Sequence, residues 1–226
     1  SLIHFNSSKK LKELHEPYIQ KYIYSLVLTG KINSAIKEIK SIKNKNFVDF
    51  FESHLLLILD KIKKKNYQKG LNYIKELKRY EEQGTFEFII SNVLEDYIYL
   101  FVENKINLNS DIKFGKLSLI NKTLQSCYLG HKKTNFFFES LVNDSSNRAS
   151  ERYLFFYANY LINNNKYLEA KDIFKNVDYL DSALLNSQSK SWIDEENYED
   201  FKKIFSCKNS NDIVAEFFFV ISNLYS

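Results

Sequence analysis

SERYLFFYANYLINNNKYLEAKDIFKNVDYL, residues 150–180, is the stretch on which the fold is decided. Ser150 stands where a helix N-cap is expected, and Leu154, Tyr157, Ala158 and Leu161 follow at the three- and four-residue spacing of one helix face. Polar residues Asn163, Asn164, Asn165 and Lys166 then interrupt the pattern. A second apolar face follows, with Tyr167, Ala170, Phe174 and Val177 at the same spacing. The reading is an antiparallel helix pair. Small side chains at 158 and 170 let the two axes approach, and larger ones at 161, 167 and 174 fill the groove beside them.

The pattern recurs. Ala158, Tyr167, Ala170, Phe174 and Val177 align with Ile58, Tyr67, Gly70, Ile74 and Leu77, and again with Ile23, Ile32, Ala35, Ile39 and Ile42. TGKINSAIKEI (29–39), KKNYQKGLNYI (64–74) and NNKYLEAKDIF (164–174) are versions of one string. EENYEDFKKIF (195–205) is a fourth, in which Phe201 takes the small-residue position. Helical stripes through Phe86, Ile89, Ile90, Val93, Leu94 and Tyr97, and through Leu117, Ile120, Leu124, Cys127 and Tyr128, suggest two degenerate copies between. One helix pair cannot bury both of its faces, so such pairs are expected to stack.

These residues resemble the tetratricopeptide repeat, a helix–turn–helix of about 34 residues. The consensus tryptophan of that family is missing, and Trp192 is not at its place. The resemblance implies an all-α fold: a right-handed superhelical α-solenoid of stacked antiparallel helix pairs, with about eleven helices. Residues 1–226 are expected to be one such segment, with units starting near 16, 51, 85, 116, 151 and 182 and a partial unit at each end. Counting back from Ala35 sets Phe5 in the second helix of an earlier unit, so the chain is expected to be a stretch of a longer solenoid. The resemblance also implies that first helices line a concave groove. Its candidate peptide-binding residues are Gln20, Tyr24, Leu55, Leu59, Phe155, Asn159 and Ile162. The family's clamp for a terminal carboxylate needs paired asparagines on successive first helices, and only Asn159 qualifies. A groove rich in Phe, Tyr and Leu suits an apolar or helical segment instead.

Composition agrees with helices. One proline and five glycines among 226 residues are too few for the many turns of a sandwich or barrel. The 19 Phe and 16 Tyr, with no Met, read as codon bias filling core positions. The longest apolar candidate, residues 86–101, carries Glu87, Glu95 and Asp96, so no transmembrane segment is expected. No signal peptide is visible, and the targeting region is expected to lie outside a chain that opens with Ser. A soluble protein of cytoplasm or periplasm is expected, with the compartment left open.

Chemistry-bearing motifs are missing. His4, His15, His54 and His131 are scattered, and no HExxH, GxSxG, GxGxxG or GKS/GKT string occurs. No catalytic residue, metal site or cofactor is expected. The acidic run Asp194–Glu195–Glu196 lacks the alternation and glycine of a calcium loop and reads as a helix–helix turn. Cys127 and Cys207 fit no CxxC spacing and are expected to be free, partly buried thiols. Charge is uneven: residues 1–80 hold 17 Lys+Arg against 7 Asp+Glu, whereas 81–226 hold 15 against 21. The expected function is therefore a non-catalytic scaffold binding a protein or peptide. The alternatives are a basic N-terminal surface for nucleic acid or anionic membrane, and a non-catalytic arm of a longer enzyme.

Overall fold

The computed structural model describes Leu11 and residues 15–107, 114–143, 149–175 and 184–224. Phe5, Val177 and the unit start near 182 lie outside them, as does the Ser150 side chain. The described residues hold twelve α-helices and no strand. They are α1 Glu16–Leu28, α2 Ile32–Ser41, α3 Phe51–Lys63, α4 Tyr67–Leu77, α5 Phe86–Glu103 and α6 Lys116–Leu129, then α7 Thr134–Val142, α8 Ala149–Asn163, α9 Tyr167–Phe174, α10 Leu184–Asp194, α11 Tyr198–Ile204 and α12 Ser210–Leu224. Short 3-10 turns cover Lys45–Val48 and Lys78–Tyr80. The count exceeds the expected eleven or so. The element the periodicity did not single out is α7, whose Phe136, Phe137 and Phe138 stand side by side and blur the three- and four-residue spacing of a helix face.

The described helices form two compact units, Ser1–Ile98 and Tyr99–Ser226, with the division falling inside α5. In the first unit α1 packs on α2, α2 on α3 and α3 on α4. Its core is aliphatic with two tyrosines: Tyr18, Ile19, Tyr22, Ile23 and Leu26 from α1, Ala35, Ile36 and Ile39 from α2, and Leu56 and Leu57 from α3. In the second unit α8 packs against α7, α9, α10 and α11. Phe155 lies parallel to Phe201 with centroids 5.6 Å apart, and Trp192 meets Phe201 edge-on at 5.5 Å. The phenylalanine in the fourth small-residue position thus becomes the buried centre of an aromatic cluster.

The repeated string builds a repeated turn. The second helices α2, α4, α9 and α11 begin at Ile32, Tyr67, Tyr167 and Tyr198, the residues the sequence aligns. Two positions before each start, at Gly30, Lys65, Asn165 and Glu196, φ is +72°, +54°, +59° and +57°. Each left-handed residue closes the same pair of hydrogen bonds at the end of the first helix. The amides of Lys31, Asn66, Lys166 and Asn197 donate to the carbonyls of Leu26, Lys61, Leu161 and Trp192 at 2.8–2.9 Å. The amides of Gly30, Lys65, Asn165 and Glu196 donate to the carbonyls three residues earlier. This is the Schellman arrangement, which satisfies carbonyls a helix end would otherwise leave unpaired. Gly130, with φ +68°, ends α6 in the same way.

Only two of these five turns have glycine at the left-handed residue. For other residues the Cβ meets the carbonyl at a cost of about 1–2 kcal/mol, against which glycine loses about 0.5–1 kcal/mol in chain entropy. Lys65→Gly is therefore expected to stabilise the first unit by about 0.5–1 kcal/mol. Equilibrium urea unfolding checks this, and a loss of stability contradicts the turn assignment.

The seat five residues beyond each left-handed turn is buried in every copy: Ala35, Gly70, Ala170 and Phe201. At Gly70 the closeness is measurable. A Cβ there would lie 3.3 Å from Ile98 Cδ1 and 3.8 Å from Lys61 Cβ, so the residue sits against both α3 and α5. A side chain there would require the Ile98 δ-methyl to give way by a few tenths of an ångström.

One feature departs from the sequence reading. The cysteines are not free thiols: Cys127 and Cys207 form a disulfide across 80 residues, with Cα atoms 5.8 Å apart. No spacing motif announces such a bond, because the fold alone brings the end of α6 beside the segment before α12. In the second unit α6 and α12 are in contact. The last helix returns to the first helix pair of that unit.

Candidate functional site

The residues expected to line a groove fall into two environments. In the first unit, Gln20 and Tyr24 on α1 and Leu55 and Leu59 on α3 are half-buried. Gln20 Nε2 donates to Tyr24 Oη at 3.1 Å, one helical turn away. The Tyr24 ring meets Phe50 edge-on at 5.9 Å, just before α3 begins. Burial pushes the Tyr24 phenol above its ordinary value, the Gln20 hydrogen bond opposes this, and the Glu52 carboxylate adds to it. These side chains present a mixed apolar and amide surface on two first helices of the same unit.

In the second unit Phe155, Asn159 and Ile162 on α8 are buried. Asn159 Nδ2 donates to the carbonyls of Phe201 and Phe205 at 2.7 and 3.0 Å, and its Oδ1 accepts from Asn163 Nδ2 at 3.1 Å. Its amide is committed to the C-terminal end of α11, where orphan carbonyls need donors. These three residues are core in the second unit, covered by the helices that follow.

Other polar groups come together where sequence reading did not look. His54 Nε2 lies 2.7 Å from Asp49 Oδ1, which also accepts from Tyr80 Oη at 2.9 Å, while Arg79 donates to Asp49 Oδ2 at 3.1 Å. The His54 hydrogen bond, with those of Tyr80 and Arg79, outweighs burial and holds the Asp49 carboxyl below its usual value. Burial and the Asp49 charge push the Tyr80 phenol up to about 12. This network borders a cleft of about 390 Å3 with walls from Ile39, Val48, Leu57 and Tyr73. Nearby, buried Asp60 accepts from Lys40 at 2.7 Å and also pairs with Lys64. Burial raises its carboxyl pKa, and the two lysines more than reverse that. Of the cations around this cleft, Lys40 and Arg79 are spent on carboxylates of the same unit, and Lys45 donates to the backbone carbonyls of Lys40 and Ile42.

A second cleft, of about 400 Å3, lies in the second unit. Arg152 on α8 donates through Nε to Glu216 Oε1 on α12 at 2.9 Å and through a terminal nitrogen to the other oxygen. The guanidinium also lies over the Phe219 ring, 3.7 Å from its centroid. Glu216 is buried, which pushes its carboxyl upward against the stabilising Arg152 charge. The signal in the sequence is an acid inside the apolar stripe Ile213–Phe217, a position that demands a partner.

No family model, curated protein or solved structure matches the chain. Among the described residues no three His, Cys, Asp or Glu side chains gather as metal ligands, and no helix is long and apolar enough to cross a membrane.

Proposed function

We propose that the chain is a tetratricopeptide-type α-solenoid that acts as a non-catalytic scaffold. Its partner is a protein whose apolar or helical segment lies on the α1 and α3 face. Tyr24, Leu55 and Leu59 supply the apolar contacts there, and Gln20 supplies the polar one. The reading rests on one observation: the four copies share a turn, with the left-handed residue, the helix start and the seat at fixed offsets. Repeats of this kind present neighbouring first helices side by side, aromatic side chains such as Tyr24 are the usual anchors of recognition, and leucines line the groove beside them. The buried α8 residues Phe155, Asn159 and Ile162 form no part of this surface.

Selection of a random peptide library on the immobilised chain tests the proposal. Enrichment of amphipathic apolar peptides is expected, with affinity falling at least about tenfold in Leu55→Glu/Leu59→Glu. Leu168→Glu, at an exposed position on α9, serves as control and is expected to bind as the parent does. No enrichment, or equal binding by both variants, contradicts the proposal.

A specific observation favours a second reading. Lys21, Lys31, Lys37, Lys43, Lys63, Lys65, Lys69 and Lys75 are exposed and make no ion pair among the described residues. A surface of free ammonium groups attracts anionic polymers such as nucleic acid or an anionic membrane. Binding of that kind falls steeply with added salt, because it is driven by counterion release. Apolar peptide binding does not.

A further inference from the structure

Helix α12 is attached to the rest of its unit by three bonds of different kinds. Covalently, Cys207 in the segment before it is joined to Cys127 in the last turn of α6. Beside that bond the Lys208 ammonium donates to the Tyr128 carbonyl. Further along, Glu216 is gripped by Arg152 of α8, and Phe219 lies against the same guanidinium. The face held inward carries Ile213, Val214, Phe217 and Ile221. This is an amphipathic helix laid on the face of α6 and α8 as a separate ligand helix would be.

Both cysteines of the chain are used in this one bond. Cys127 is almost fully buried, whereas Cys207 is only half-buried, so a reductant reaches the bond from the Cys207 side. We infer that the Cys127–Cys207 disulfide is a redox-controlled latch, closed in an oxidising compartment, that holds α12 as an intramolecular occupant of the α6 and α8 face.

Closing follows thiol–disulfide exchange. The two thiols lose two protons and two electrons to the disulfide of an oxidant, either a small molecule or a dithiol protein. Their own S–S bond forms while the oxidant's breaks to two thiols. Opening is the reverse: one thiolate of a dithiol attacks the Cys207 sulfur, and the Cys127 thiolate leaves and takes a proton. The dithiol's second thiolate then breaks the mixed disulfide, the Cys207 thiolate leaves and takes a proton, and the dithiol ends as a disulfide. With the latch open, α12 keeps only the Arg152–Glu216 pair and its apolar contacts. The anchoring segment 205–209 gains the freedom of an open chain, and local unfolding of α12 becomes cheaper. This inference does not depend on peptide binding at α1 and α3, which lie in the other unit.

The test uses the whole chain, purified without reductant. Alkylation of the native protein followed by intact mass is expected to add no group before reduction and two after it. Amide exchange across 210–224 is expected to rise roughly tenfold on reduction, while exchange across 16–77 stays unchanged. Cys127→Ser/Cys207→Ser is expected to show the faster exchange without reductant and to ignore reductant thereafter, which separates the latch from side effects of the reagent. Thiols that alkylate in the unreduced protein, or exchange in α12 that reduction leaves unaltered, overturn the inference.

Discussion

Cys127→Ser/Cys207→Ser is expected to destabilise the second unit by about 4–5 kcal/mol. The disulfide spans 80 residues, and a cross-link over a loop that long removes much of the conformational freedom of the unfolded chain. In a unit of this size such a loss lowers the melting temperature by about 15–20 °C. Serine replaces sulfur with a group of similar size, so the effect reports the covalent bond rather than a cavity. Thermal unfolding followed by circular dichroism, with and without reductant, reads it. The parent in reductant should approach the variant. A parent whose melting is indifferent to reductant, and equal to that of the variant, contradicts the disulfide.

The second large effect is expected at the close approach of α8 and α9. Ala158 and Ala170 are both fully buried. Ala158→Asp puts a carboxylate into this core, at a cost of about 3–5 kcal/mol. Ala170→Leu adds three carbons to a filled seat and should cost about 1–3 kcal/mol through displaced neighbours. The order is informative. A charged residue tolerated at 158, or a leucine at 170 that leaves unfolding unchanged, means that these faces do not meet. Chemical denaturation monitored at Trp192, whose ring packs on Phe201 in the same unit, measures both.

Sequence pattern exposed the helices where it was dense. Ile32, Tyr67, Tyr167 and Tyr198 open their helices because an apolar residue there is followed three positions later by the seat residue, and that spacing survives in all four copies. The turn between the helices was less legible. Its left-handed residue is glycine at 30 but Lys65, Asn165 and Glu196 elsewhere, so the backbone demand carries no constant residue type. Tyr167 and Tyr198 stack with centroids 4.4 Å apart, a contact between equivalent positions of successive copies that a repeat permits but a single copy does not reveal.

The long-range features could not be read at all. Arg152 and Glu216 are 64 residues apart and Cys127 and Cys207 are 80 apart. Local periodicity holds no information on which helix ends come together, and the return of α12 to α6 decides both pairings. That return also bears on the groove. The resemblance to the repeat family implied that Gln20, Tyr24, Leu55 and Leu59 line one groove with Phe155, Asn159 and Ile162. Burial separates them, because α11 covers α8 with Phe201 and Phe205 and draws Asn159 into its carbonyl end. An offset along a helix says which way a side chain points, and only packing says whether something already stands there.

The account depends on one structural element made four times, a helix ended by a left-handed residue and resumed two positions later. Backbone chemical shifts and three-bond amide–Hα couplings at Gly30, Lys65, Asn165 and Glu196 measure that element directly. Positive φ at all four, with helical shifts on either side, is the result the account predicts. Continuous helix or extended backbone at two or more of them would contradict it.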